Sequence, residues 1–293
     1  MSFARIDPLL PDVVDPGEGE RLTVAVSGRT TVSAVLYRAR HDGWSALWHP
    51  RVVWELTPVS PDVGAGGMAA LLDALRERLR QERPGTDSAC SVTWPSRDLG
   101  AGQALAAHGF APYTVLAARE ATSPAVDSAD CSAAEVRPLT GDAEALVPDV
   151  VDLWREEWHY AVSVGAAVHR PDAAALLEGE LRRAVSAAEP MWVAEADGVL
   201  AGLALCRWPA PQPRLPSGSW AQLHTVSVAA SARGRGIGRA LVAAAHDRLL
   251  ARGARGTYVF YSPHNALSTV FWHRQGYRPL WTTWEARPAT AAR

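Results

Sequence analysis

Gln222-Leu-His-Thr-Val-Ser-Val-Ala-Ala-Ser-Ala-Arg-Gly-Arg-Gly-Ile-Gly-Arg-Ala-Leu241 changes character twice within a short span. The β-branched Thr225, Val226 and Val228 predict a strand. A small-residue turn follows and runs into three alternate glycines, Gly234, Gly236 and Gly238. Ile237, Leu241, Val242, Ala245 and Leu249 then recur at helical spacing, and Gly253 supplies the stop. Strand, glycine-rich turn and helix together make a device for holding phosphate. The first turn of a helix offers unpaired amides and the positive end of its dipole, and glycines let an anion come close to that backbone. Arg233, Arg235 and Arg239 add fixed positive charge beside it.

Two familiar phosphate sites are excluded by residue type. A P-loop needs Gly-Lys-Ser/Thr, and all 29 basic residues of this chain are arginine. A dinucleotide fingerprint needs Gly-x-Gly-x-x-Gly with an acidic residue at the end of the next strand, and neither is present. Arg233-Gly-Arg-Gly-Ile-Gly238 instead resembles the Arg/Gln-x-x-Gly-x-Gly/Ala signature of the GNAT superfamily of acyl-CoA-dependent acyltransferases. The resemblance implies that Arg233, Gly234, Arg235, Gly236, Ile237, Gly238 and Arg239 hold the pyrophosphate of acetyl-CoA or another acyl-CoA. It also places Val226 and Val228 on the strand beside the donor, with the Val228 amide facing the thioester oxygen.

A second match lies downstream. Asn265 is the only asparagine in the sequence, and Ser268, Phe271, Trp272 and Gly276-Tyr277 follow it at the spacing common in that family. Asn265 is expected either to bond the pantetheine arm or simply to cap a helix. Trp272 departs from the pattern, because many members carry there a tyrosine proposed to protonate the leaving thiolate. An indole N–H cannot do so, which leaves the role either vacant or filled by Tyr261, at the end of the neighbouring strand.

Length and composition fit this reading. The 293 residues suffice for two domains with cores of their own, and 48% hydrophobic with 20% charged residues describes a globular protein. No apolar run reaches the ~20 residues that span a bilayer, and Met1-Ser-Phe-Ala-Arg-Ile-Asp-Pro lacks the pattern of a signal peptide. Cys90, Cys131 and Cys206 are odd in number and far apart, so free thiols and a cytoplasmic location are expected, without a disulfide frame or metal cluster. Residues Arg207–Arg293 hold 12 arginines against two acids and carry +10, leaving −12 on the rest. That asymmetry suits an anionic cofactor; no nucleic-acid module accompanies it.

The chain also repeats itself. A shift of 170 lays Gly64 and Gly66 on Gly234 and Gly236, and Leu71-Leu72 on Leu241-Val242. A shift of 167 lays Gly109-Phe-Ala-Pro112 on Gly276-Tyr-Arg-Pro279. One domain length separates the copies, so the sequence reads as a mixed α/β protein of two tandem GNAT-like domains, each a twisted mixed sheet flanked by helices. The expected boundaries are 1–120, a small polar linker over 121–134, and 135–293. Val63, Ala65 and Met68 stand in the first copy where Arg233, Arg235 and Gly238 stand in the second, so anion binding is expected only in the second.

The remaining candidates concern the acceptor. Simple period-two alternation puts His224 on the strand face of Val226 and Val228, where it serves either as base or as a structural histidine. Trp154, Glu157 and Trp158 lie on one predicted helix, and Trp220 follows a proline-rich loop; an aromatic wall with Glu157 attracting a small-molecule amine is the expectation. A thioester on an acyl carrier protein is the alternative donor. A non-catalytic acyl-CoA sensor or interaction protein is the competing class.

Overall fold

The computed structural model describes residues 2–27, 30–122, 134–140 and 143–292. Most of the expected linker, 121–134, and Cys131 with it, lies outside them; Cys90 and Cys206 are buried free thiols. In chain order the main elements are β1 (Glu20–Ser27), β2 (Thr30–Arg40), β3 (Val52–Pro58), α1 (Gly64–Glu82), β4 (Ser88–Pro95), α2 (Leu99–Ala107), β5 (Ala111–Glu120), β6 (Glu135–Pro138), α3 (Ala143–Ser163), α4 (Ala173–Ser186), β7 (Met191–Ala196), β8 (Val199–Arg207), β9 (Trp220–Val228), α5 (Ile237–Ala251), β10 (Gly256–Tyr261), α6 (Ala266–Arg274) and β11 (Arg278–Ala286). Three strands, helix, strand, helix, strand therefore occurs twice: β1 to β5, and β7 to β11. The helix of Trp154, Glu157 and Trp158, α3, carries Pro148 inside it.

The chain forms two compact units whose boundaries differ from the expected ones. The first comprises Met1–Leu116, Gln212–Ser217 and Pro279–Arg293; the second comprises Ala117–Pro211 and Gly218–Arg278. A second domain running unbroken to 293 is thus corrected. The reason is visible in the ladder of the first unit, where β11 pairs antiparallel with β4 from Trp281↔Pro95 to Ala286↔Cys90. Side chains reinforce that pairing: Thr93 and Thr283 hydroxyls meet at 2.9 Å, and the Phe3 ring lies edge-on to Trp281 and Trp94. For the proline-rich loop before Trp220 the sequence leaves open a wall of the acceptor site or an ordinary surface excursion. Residues 212–217 belong to the first unit, where Trp281 Nε1 donates to the Arg214 carbonyl at 2.6 Å.

In the first unit β1, β2 and β3 run antiparallel in turn, and β3 is parallel to β4 across the α1 crossover. In the second unit β6, β7, β8 and β9 are successively antiparallel, and β9 is parallel to β10 across α5. The β7–β8 hairpin turns at Asp197-Gly198, both with positive φ, as the primed turns of tight hairpins require. The internal repeat holds at the level of packing. Leu71, Leu72, Leu75 and Leu79 are buried on α1, and the residues 170 further on, Leu241, Val242, Ala245 and Leu249, are buried on α5.

Candidate active site

Within the second unit, the end of β9, the loop after it, the first turn of α5 and the length of α6 border a cleft of ≈ 1100 Å³, walled on one side by α3. Val226, Val228, Arg233, Gly234, Arg235, Gly236, Ile237, Gly238, Arg239 and Asn265, the ten residues singled out for the donor, all line it. Gly234 and Gly236 have φ of +78° and +80°, a region that L side chains avoid, so the loop is one that glycine permits. Gly236 is the N-cap of α5 and supplies no side chain to cap its first amides. Close approach explains Gly238: a Cβ there would lie 3.3 Å from the Phe271 ring and 3.5 Å from Val228. Arg235 pairs with Asp197 at 3.0 Å. Arg233 Nε donates to the carbonyl of Val228 at 3.2 Å, and its guanidinium lies 5.4 Å from the centre of the Tyr160 ring. Asn265 is a helix cap, its Oδ1 accepting from the Ser268 amide at 3.0 Å.

The opposite wall carries acid. Two adjacent glutamates on α3 divide their work: Glu156 accepts from the Ala230 amide at 2.8 Å and so ties the loop to the helix, while Glu157 faces the cleft. Glu157 is half-buried, and burial pushes its carboxyl up to about 7 despite the opposing charge of Arg233. Sequence reading missed Ala232, Leu267, Arg274 and Gln275, which with Tyr160 of α3 complete the lining. A helical spacing from known members was the available signal: Arg274 and Gln275 are one turn from Phe271.

Comparison with known proteins agrees with this geometry. Residues 147–277 match the Acetyltransferase (GNAT) family, a span that contains the whole lining of the cleft. Over those residues the chain is similar to GNAT acetyltransferases. Among solved structures, a GCN5-related N-acetyltransferase from Sphaerobacter thermophilus is similar over 88% of this chain and 78% of its own, with TM-score 0.56 and 15% identity. A GNAT-family acetyltransferase from Colwellia psychrerythraea covers 92% and 85%, with TM-score 0.51 and 13% identity. A tandem GNAT protein of the clavulanic acid biosynthesis pathway covers 89% and 80%, with TM-score 0.47 and 19% identity. No curated protein matches the sequence. At the general level, the family supports transfer of an acyl group from acyl-CoA to an amine.

The strand register decides between the two roles open to His224, base or structural histidine. Between β8 and β9 the register runs Gly202↔Val228 to Leu205↔Thr225 and resumes at Cys206↔Leu223, so His224 is an extra residue, a bulge. The bulge resets the alternation. Val228 and its partner Gly202 face α5, whereas His224 lies edge-on to Trp154 of α3, on the face where Ser227 Oγ donates to the Leu153 carbonyl. His224 does not line the cleft. Arg207 Nη2 donates to its Nε2 at 3.4 Å, and the Glu180 carboxylate is 3.8 Å away. Burial, then the Arg207 charge, push its imidazole down to about 3. It is a structural histidine in a charge cluster where Glu180 also holds Arg183 by two bonds.

The expected aromatic wall is corrected as well. Trp154 and Trp158 are fully buried on the inner face of α3, and Trp220 is buried at the start of β9; none lines the cleft. Large flat side chains at helical spacing packed the core here, as their buried area favours. Tyr261 does not supply the missing phenol: it is buried outside the cleft, bonded to His273 Nε2 at 3.2 Å, and burial pushes it up to about 12. Trp272 lines the cleft and packs edge-on against Phe271 and Tyr277. Among the described residues, no helix is long and apolar enough to cross a membrane.

Proposed function

We propose that the second unit transfers an acyl group, most simply acetyl, from acyl-CoA to the amine of a small molecule, by direct attack on the thioester. The observation that carries this reading is the convergence of all ten residues picked for the donor on one cleft whose opposite wall presents Glu157. The loop fits a pyrophosphate: two glycines in the left-handed region, an uncapped helix start, and Arg233, Arg235 and Arg239 lining the cleft. When bound, the donor supplies an activated acyl carbon and a thiolate leaving group. Val228, at the end of β9, turns its amide toward the thioester oxygen, as the family resemblance implies.

Glu157 takes the role first given to His224. A carboxylate draws in a cationic amine and, at about 7, is matched to proton transfer near neutral pH. One proton passes from the ammonium to Glu157, and the nitrogen then forms the C–N bond while the C–S bond breaks. Nitrogen loses its surplus proton to solvent. A thiolate of pKa near ~8.5 is a fair leaving group and takes its proton from water, so no phenol is required. Holding both reactants in one cleft supplies much of the acceleration.

The first unit lacks a matching anion site. Val63 and Met68 are buried side chains where cation and glycine stand in the second copy, which supports one acyl-CoA per chain. Free thiol released from acetyl-CoA in the presence of a panel of small primary amines tests the activity. Acceptor-dependent release that Glu157→Gln lowers by ~100-fold or more is expected. Binding of acetyl-CoA with no release across the panel would favour the sensor reading instead.

A further inference from the structure

The lining of the cleft contains one carboxylate, Glu157, and no histidine. Its ionisable and charged neighbours come from every element around it: Tyr160 on α3, Arg233 and Arg235 in the loop, Arg239 on α5 and Arg274 on α6, while β9 contributes only Val226 and Val228. Arg235 is held by Asp197. Arg233 stands apart in its geometry. It belongs to the phosphate loop by sequence, yet its side chain turns back, donates to the last carbonyl of β9 and stacks its guanidinium on Tyr160, one helical turn from Glu157. A cation placed so acts on Glu157.

Building on the acyl-transfer reading above, we infer that Arg233 has two positions and links the donor to the base. In the position described it lies over Tyr160 and favours the charged form of the Glu157 carboxylate against the effect of burial. A bound pyrophosphate offers the guanidinium a stronger, bidentate partner than a backbone carbonyl and a ring face. Arg233 then leaves Tyr160, the cation is withdrawn from Glu157, and the proton affinity of that carboxylate rises. Glu157 becomes the stronger base when a donor is in place, which brings its proton affinity closer to that of the amine it must deprotonate. By linkage, donor binding is accompanied by proton uptake.

Proton uptake is measurable without any acceptor. Coenzyme A is titrated into the full chain at pH 7.5 by calorimetry in buffers of different ionisation enthalpy. The dependence on buffer counts the protons taken up, and Glu157→Gln subtracts those due to the phosphates themselves. Burial already holds Glu157 at about 7. A rise of about one unit corresponds to an extra uptake of about 0.5 proton in the parent relative to Glu157→Gln. Arg233→Gln, compared at saturating coenzyme A, removes the cation from both states and is expected to cut that difference by more than half. Equal uptake by the parent and Glu157→Gln, or a difference unchanged by Arg233→Gln, overturns the inference while leaving the donor site standing. Absence of coenzyme A binding in the parent overturns the acyl-transfer reading, and this inference with it.

Discussion

His224→Gln is expected to flatten the acid side of the stability curve. The folded protein keeps His224 neutral to about 3, because burial and the neighbouring Arg207 oppose its charged form. An unfolded chain protonates the same imidazole below about 6.5. Over that window the unfolded state binds one more proton than the folded state, so stability falls as pH falls. From pH 7.5 to pH 5 the effective interval is about 1.5 units, and at 1.36 kcal/mol per unit the loss is about 2 kcal/mol. Glu157, raised to about 7, acts in the opposite sense, since its folded state binds the extra proton between about 4.5 and 7. His246, lowered to about 4, adds to the loss. Both are present in parent and variant, so their contributions cancel in the difference. Urea unfolding followed by tryptophan fluorescence reads it: with a slope near ~2 kcal/mol per M, the midpoint of the parent should fall by ~1 M more than that of the variant between the two pH values. Equal shifts would show that His224 is protonated in the fold and that its burial is not the controlling effect.

Gly236→Glu places a carboxylate at the N-cap of α5 and is expected to abolish coenzyme A binding in calorimetry; Gly236→Ala carries the same backbone strain without the charge and should retain measurable affinity. Gly66→Glu, on an exposed turn of α1, should leave the affinity and a stoichiometry near one unchanged, and loss of binding there would refute the assignment of the site to the second unit. Glu156→Ala removes the acceptor of the Ala230 amide and should weaken coenzyme A binding by ~5-fold, about 1 kcal/mol, with little change in the unfolding midpoint. Gly202→Ala sets a Cβ 2.8 Å from Leu241 and 3.0 Å from Ile237, where α5 packs on β8; overpacking of ~1–3 kcal/mol should appear as a lower midpoint for the second unit.

The loop half of the cleft was legible because its signals are local. Positive φ at Gly234 and Gly236, the arginines around them and the apolar stripe of α5 are all consequences of residues within one loop and one helix. Asn265 and its spacing to Tyr277 are local in the same way. His224 failed for a reason no periodicity contains. One extra residue in β9 reverses the face of everything before it, and the bulge is defined by the partner strand β8, not by β9 itself. Trp154 and Trp158 share a helix with Glu157, and sequence spacing alone does not say which arc of that helix meets the sheet. Only the packing of α3 turns Glu157 into the cleft and the indoles away from it.

The two copies also separate demands that one sequence usually mixes. Leu71, Leu72, Leu75 and Leu79 on α1 and their counterparts on α5 are all buried, so the crossover helix meets the same packing requirement in each copy. The turns before the two helices share a left-handed glycine and an uncapped start, but Val63, Ala65 and Met68 stand in the first where Arg233, Arg235 and Gly238 stand in the second. Met68 is fully buried, and Gly238 in the second copy is held bare by Phe271. A Cβ on Gly67 would stand 3.0 Å from Val32 and 3.1 Å from Val63, which shows how tightly apolar groups fill the start of α1. An anion brought to that turn would meet buried methyl groups and no arginine between its glycines, and desolvating it without a partner is costly. The first copy therefore retains what holds a crossover helix to its strands and lacks what makes a helix start bind an anion. Transplanting Arg233 and Arg235 onto Val63 and Ala65 would consequently not create a second site: a guanidinium at position 63 would have to displace the packing around Val32 and Gly67, and the expected result is an unfolding midpoint lowered by several tenths of a molar in urea with coenzyme A stoichiometry still near one.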